Sequence, residues 1–393
     1  MLRRDVSAAL IASATGAALL SKPAAAQSCI APCYPQTAAE IAASITPTNL
    51  GYPPLCVDRY GTNSAPGTTL MTQAWANAIK VAGVYGGVVT CLQTRYLVGQ
   101  LGSSPASLVL SGLVTIDGGN SGLSYTAGTG AQIYSQTNLP IIGYASATTN
   151  RCGLRNINIV GVTTAGTSQH GVIVNPTYPV QVPIDIENVG IFNCGYAGLW
   201  LQTSYGSRVA NVYIQNCTNG LITGPNCGAG VFLRVSVASC TSAGIDVGST
   251  NGQDVFIACS SQGSAYGIVF ESGAVDNQIY GLHTESNSQN GIWWKTGSDR
   301  NKIYGQTTGS SEGLPLNNGG AGNAYVGATV AGGVTTYGYT SGTVHPIPQT
   351  GWGTPTGASI VSNFPGGSAT LVQTSAAVAE LITYFRQIGI LAP

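Results

Sequence analysis

Only 14 acidic, 14 basic and 3 histidine side chains occur in the 393 residues, so each group able to move a proton can be weighed individually. Two carboxylates stand out by their neighbours. Asp246 and Glu271 lie two and four positions after glycines that open a Gly-Ile pair, Gly244 and Gly267. Trp200 and Trp293 follow Gly198 and Gly291 by two positions, and Gln202 and Lys295 follow the same glycines by four. Indoles offer broad apolar faces with a polar handle, which suits the apolar faces of sugar rings. Two carboxyl groups held about 6.5–9.5 Å apart are the apparatus of inverting glycoside hydrolysis, one protonating the leaving oxygen and the other activating water. Asp246 and Glu271 are therefore the expected catalytic pair, and Trp200, Gln202, Trp293 and Lys295 the expected substrate-binding residues. Competing assignments stay open: Glu271 as an ion-pair partner of Lys295, Asp246 as a turn cap, and Trp293 as a cover for apolar surface. His283 and Glu285 are a further local pair, two residues apart.

Such residues can act together only if the chain repeats in register. The pair-opening glycines Gly198, Gly220, Gly244, Gly267 and Gly291 are spaced by 22, 24, 23 and 24 residues. A second alternating apolar stretch precedes each one, for example Val189/Ile191, Val212/Ile214 and Val235/Val237. Alternation of β-branched residues with period 2 indicates strands, and the Gly, Asn and Ser between them form turns. A unit of this length is too short for a propeller blade, and it fits one coil of an all-β, right-handed parallel β-helix with coils about 4.8 Å apart. Positions one and three after each glycine are apolar and should point inward, so positions two and four face outward. That parity places both carboxylates and both indoles on one face. Trp200 and Trp293 are then four coils apart, about 19 Å, and Asp246 and Glu271 about 8 Å apart.

Aligned coils also bring opposite charges side by side. The expected neighbours are Arg155 with Glu187, Asp185 with Arg208, Arg234 with Asp254, Asp276 with Arg300, and Glu271 with Lys295. Cys194, Cys217 and Cys240 recur at intervals of 23 and 23 residues, which reads as an inward column of small hydrophobes and not as metal ligands. No metal or cofactor is expected. Charged residues are 7% of the chain and the net charge is zero, which argues against nucleic acid as a partner.

Arg3 and Arg4, the apolar run Val6–Leu20 and Ala24–Ala26 describe an export signal over residues 1–26, of the twin-arginine type. A secreted or periplasmic protein with no stable membrane span is expected. Residues 27–56 read as a linker. Leu70 to Val81 reads as a helix with Met71, Trp75, Ala78 and Ile79 on one side, capping the helix domain at 57–310. Residues 311–375 read as an irregular Gly/Thr/Ser-rich segment, and 376–393 as a short terminal helix. That helix either mediates a homotrimer or packs on the β-helix.

Asp58-Arg59-Tyr60-Gly61, the helix, Gly86-Gly87-Val88-Val89-Thr90 and Arg95-Tyr96-Leu97-Val98 together resemble the entry to pectate-lyase-superfamily β-helices. That resemblance spans about 57–310 and implies polysaccharide lyases, polygalacturonase-like hydrolases or tailspike-type depolymerases. Ser64–Thr69 stand where the family carries Gly-Asp-Gly. Two functions follow as expectations: a polysaccharide- or oligosaccharide-binding protein with hydrolase or lyase activity, and a non-catalytic surface or phage-tail-like structural protein.

Overall fold

The computed structural model describes residues 33–110, 112–119, 130–144, 151–174, 183–305, 307–308, 316–317, 323–330 and 334–340. The export signal, the terminal helix and the stretch 341–375 lie outside the described residues. Parallel strands stack coil upon coil as a right-handed parallel β-helix. Two sheets carry it. One has nine strands, from Leu108–Leu110 to Leu316–Asn317. The other has sixteen, and its long strands, such as Cys152–Val160, Ile184–Phe192 and Arg208–Gln215, bend midway. Each bend is an asparagine at positive φ, Asn156, Asn188 and Asn211, whose amides hydrogen-bond from coil to coil. Asparagine tolerates this left-handed conformation better than other side-chain-bearing residues do. The bent sheet therefore supplies two faces of the solenoid and the nine-stranded sheet the third.

The interior is filled by the inward positions. Leu199, Leu201, Ile245, Val247, Ile268, Phe270, Ile292 and Trp294 are all buried, as the parity rule requires. Cys194, Cys217 and Cys240 are buried free thiols in one column. The recurring glycines are each the second residue of a strand of the nine-stranded sheet, where neighbouring coils approach closely. A Cβ on Gly220 would overlap Val237 Cγ1 and the Gly244 carbonyl oxygen of the next coil. Gly220→Ala is expected to cost about 1–3 kcal/mol, measured by urea unfolding, because the coil above must shift to admit the methyl group.

Helix α1 (Ala38–Ala42) and helix α2 (Thr72–Tyr85) close the N-terminal end. In α2, Trp75, Ala78, Ile79 and Ala82 are buried, and Met71 just before it is buried too. The described part of the segment expected to be a linker, residues 33–56, is firmly attached. Glu40 is fully buried and accepts from Arg59 Nε at 2.6 Å and from the Tyr60 hydroxyl at 2.9 Å. The same guanidinium donates to the carbonyls of Pro35 and Tyr52. Strands also occur within 311–375, the segment expected to be irregular. Asn323–Val330 adds another parallel strand, and Val334–Thr340 pairs with it antiparallel.

The expected charge register is largely present, with shifted partners. Arg155 faces Glu187 and Asp185 faces Arg208 across adjacent strands. Arg155 pairs instead with Asp117, its direct neighbour on the preceding coil, while Arg208–Glu187 and Arg151–Asp185 form because long side chains reach diagonally. Asp276–Arg300 and Glu271–Lys295 form as expected. Arg234 and Asp254 do not meet. Asp254 aligns instead with Gly230 and lies inside, at the head of a ladder of buried side chains. Its Oδ1 accepts from the Gly230 N–H at 2.7 Å. Below it, Asn277 donates through its backbone N–H and Nδ2 to Asn301 Oδ1, and Asn301 does the same to Asn323 Oδ1. Asp254 has an oxygen where each asparagine has a donor, and its buried Oδ2 has no hydrogen-bond partner. Burial pushes this carboxyl up to about 6, although Gly230 N–H and the nearby Asn251 amide pull it down.

Candidate functional site

On the outward face of the nine-stranded sheet, register aligns Trp200, Ile222, Asp246, Val269 and Trp293 in one column. The column continues backward through Ile173, Gly143 and Val109 and forward to Leu316. Asp246 is its one ionisable member. Although these positions face outward, Ile222 and Val269 are nearly buried, and the two indoles and Asp246 are partly buried. The expected pair of freely exposed indoles is thus replaced by two half-covered ones, each wedged into a cluster.

The first cluster holds both carboxylates. Asp246 Oδ1 is buried without a partner. Burial, and then the negative charge of Glu271, push its carboxyl up to about 7, against the pull of Lys295. Glu271 lies one coil on and two residues along, and Lys295 Nζ contacts its Oε1 at 2.5 Å. The ammonium also lies 4.6 Å from the centre of the Trp293 ring, a cation–π distance. Tyr266 packs on the opposite part of the cluster, its ring centre 4.7 Å from that of Trp293. Trp293 Nε1, like Asp246 Oδ1, is buried and unpartnered. The cluster thus leaves two polar atoms buried and unsatisfied, an arrangement that calls for an explanation beyond packing.

Trp200 and Gln202 form the second cluster, with Trp200 two coils from Asp246 and four, about 19 Å, from Trp293. The Trp200 indole N–H donates to the Gly224 carbonyl at 3.2 Å, and its ring packs against His170 and Tyr196 at 4.9 and 5.8 Å. Burial pushes the imidazole down to about 4, so His170 is neutral at physiological pH. Gln202 Oε1 is buried and unpartnered. Thus Asp246, Glu271, Lys295 and Trp293 are brought together, while Trp200 and Gln202 stand apart at the far end of the same face. From sequence His170 has no motif around it and is given no role, and Tyr266 is passed over. Both sit directly before a coil-opening glycine, Gly171 and Gly267, and a polar or aromatic residue at that position was the available signal. His283 and Glu285 approach to 3.4 Å, exposed, on a different face.

Chemically, the first cluster offers a carboxyl that stays protonated near neutrality beside an ion-paired carboxylate. That asymmetry separates an acid role from a base role. Among the described residues no group of three or more His, Cys, Asp or Glu is placed to hold a metal ion.

The right-handed β-helix region family matches residues 141–308. Similar solved structures include a mannuronan C-5 epimerase A-module from Azotobacter vinelandii, with 14% identity, TM-score 0.44, and coverage of 70% of this chain and 84% of that one. A DFA-IIIase from Arthrobacter chlorophenolicus A6 shares 11% identity with TM-score 0.45 over 70% and 85% of the two chains. The Dettilon tailspike protein shares 15% identity with TM-score 0.43 over 70% and 62%. These likenesses concern the fold. No curated protein matches the sequence.

Proposed function

We propose that this β-helix binds an extracellular polysaccharide along the outward face of its nine-stranded sheet and hydrolyses it, with Asp246 as general acid and Glu271 as general base. The observation that carries the reading is the paired environment of the two carboxyls. Asp246 sits unpartnered in an apolar column and keeps its proton to about pH 7, whereas Glu271 is ion-paired with Lys295. Asp246 gives its proton to the glycosidic oxygen as the bond to the anomeric carbon breaks. Glu271 takes a proton from the water attacking the opposite side. Their separation of about 8 Å, from strand spacing, leaves room for that water and implies inversion at the anomeric centre. Trp293 and Tyr266 form one stacking wall, and Trp200 with Gln202 binds the chain further along.

The test is release of new reducing ends from acidic and neutral polysaccharides across pH 4–9. Release should fall as pH rises through about 7, where Asp246 loses its proton. The first-formed anomer, followed by proton NMR, should be inverted. Unsaturated products together with a rate that climbs above pH 8 would point to a lyase and overturn the assignment. Binding with no product from any polymer would favour a non-catalytic adhesion role on the same face.

A further inference from the structure

A groove lies on another side of the solenoid, where the bent sheet turns toward the nine-stranded one. Two adjoining depressions of about 470 and 440 Å³ share Thr163 and Asn193. The first runs from Arg95 and Tyr134 past Val160 to Asn193, and the second from Asn193 past Asn216 and Thr218 to Ser239. Six coils contribute, so the channel extends about 24 Å along the axis at about 4.8 Å per coil. Its floor is neutral and polar. Asn193, Asn216 and Ser239 all have positive φ, and Asn216 Nδ2 donates to Asn193 Oδ1. Thr218 is anchored through its hydroxyl to the Gly195 carbonyl.

One end carries a cation. Arg95 is exposed, and its guanidinium lies 3.7 Å from the centre of the Tyr134 ring. The Tyr134 hydroxyl in turn accepts from Gln136 Nε2 at 2.6 Å, which fixes the ring. No carboxylate among the described residues pairs with Arg95, although most of the other arginines described have such a partner. A planar guanidinium stacked on an aromatic ring is pre-oriented for bidentate binding of a carboxylate. We propose that this channel is a second carbohydrate-binding track, taking a glycan whose uronate carboxylate seats on Arg95 and whose following sugars lie over the Asn193–Asn216 ladder. It is separate from the carboxylate cluster and does not depend on hydrolysis there.

Hydrogen exchange with a hexauronate, using the full chain, distinguishes the two sites. Protection of residues 160–163 and 193–195 reports this channel, and protection of 243–247 and 290–295 reports the nine-stranded face. In Arg95→Ala, channel protection should vanish and affinity there fall about 10–100-fold, the loss of one charge-assisted bidentate contact. Arg95→Lys should be intermediate, since it keeps the charge and loses the fork. An equal-length neutral hexaglucoside should bind the channel at least tenfold more weakly. Equal affinity of Arg95→Ala and the unaltered protein, or channel protection absent with the hexauronate, would overturn the proposal. Matching thermal melts of the two arginine variants exclude misfolding as the cause.

Discussion

Asp246→Asn should lower the rate of hydrolysis by about 10²–10⁴-fold, the usual worth of a positioned general acid, while making the folded protein more stable at pH 8. The two effects have opposite sign because one environment causes both. Burial and the charge of Glu271 raise this carboxyl to about 7 in the folded chain, against about 3.9 in an unfolded one. Between those values the folded state holds a proton that the unfolded state has released. Stability therefore falls as pH rises from about 4 to about 7, and stays low above that. An amide carries no charge and escapes the loss. Since it still leaves a buried polar group incompletely bonded, the gain at pH 8 should be about 1–3 kcal/mol, less than the full linkage value. Urea unfolding at pH 4 and pH 8, alongside reducing-end assays, measures both. A variant that loses stability at pH 8 as well as activity would show that Asp246 is a structural residue.

Asp254→Asn is expected to stabilise the protein by about 2–3 kcal/mol at pH 8 and leave hydrolysis unchanged. Asp254 is buried among amides, its Oδ2 unpartnered above Asn277. Its raised value of about 6 means that the folded chain binds a proton between about pH 4 and pH 6 that the unfolded chain has lost. Above pH 6 the folded state carries a buried negative charge. Asparagine removes that charge and supplies an Nδ2 donor in the position from which Asn277 and Asn301 donate to the next coil. The gain should shrink as pH falls through 6 and disappear near pH 4. A gain that does not vary with pH would mean that packing, and not the charge, is responsible.

The coil period, the inward and outward parity and the four-coil separation of the two indoles were legible because each rests on spacing alone. Gly198 to Gly291 mark successive strands of the nine-stranded sheet, and apolar alternation fixes which residues face inside. Asp254 was misread because, by counting from the nearest apolar residue, it looked like any other surface charge. The better signal was polar: Asp254, Asn277, Asn301 and Asn323 recur at the coil period. That series also carries the solenoid past residue 311. Glu40 and Arg59 pair across 19 residues of irregular chain, a distance that no periodic rule reaches. In the site, spacing grouped Asp246 with Glu271. That Asp246 keeps its proton to about pH 7 depends on burial and on the charge of Glu271, and both emerge only in three dimensions.

The way the described ends of the solenoid are built has a consequence for how copies of it associate. A stack of parallel strands offers unpaired backbone groups at its first and last coils, and these are templates for fibre growth. At the start, α1 and α2 cover the edge, and the buried Glu40–Arg59 pair holds that cover in place. At the other end of the described residues, Val334–Thr340 runs antiparallel to the strand before it. A second copy cannot extend the parallel register through a strand pointing the other way. Chains lacking residues 33–85 should therefore join end to end into filaments, with concentration-dependent light scattering, whereas the intact chain remains a unit of fixed length.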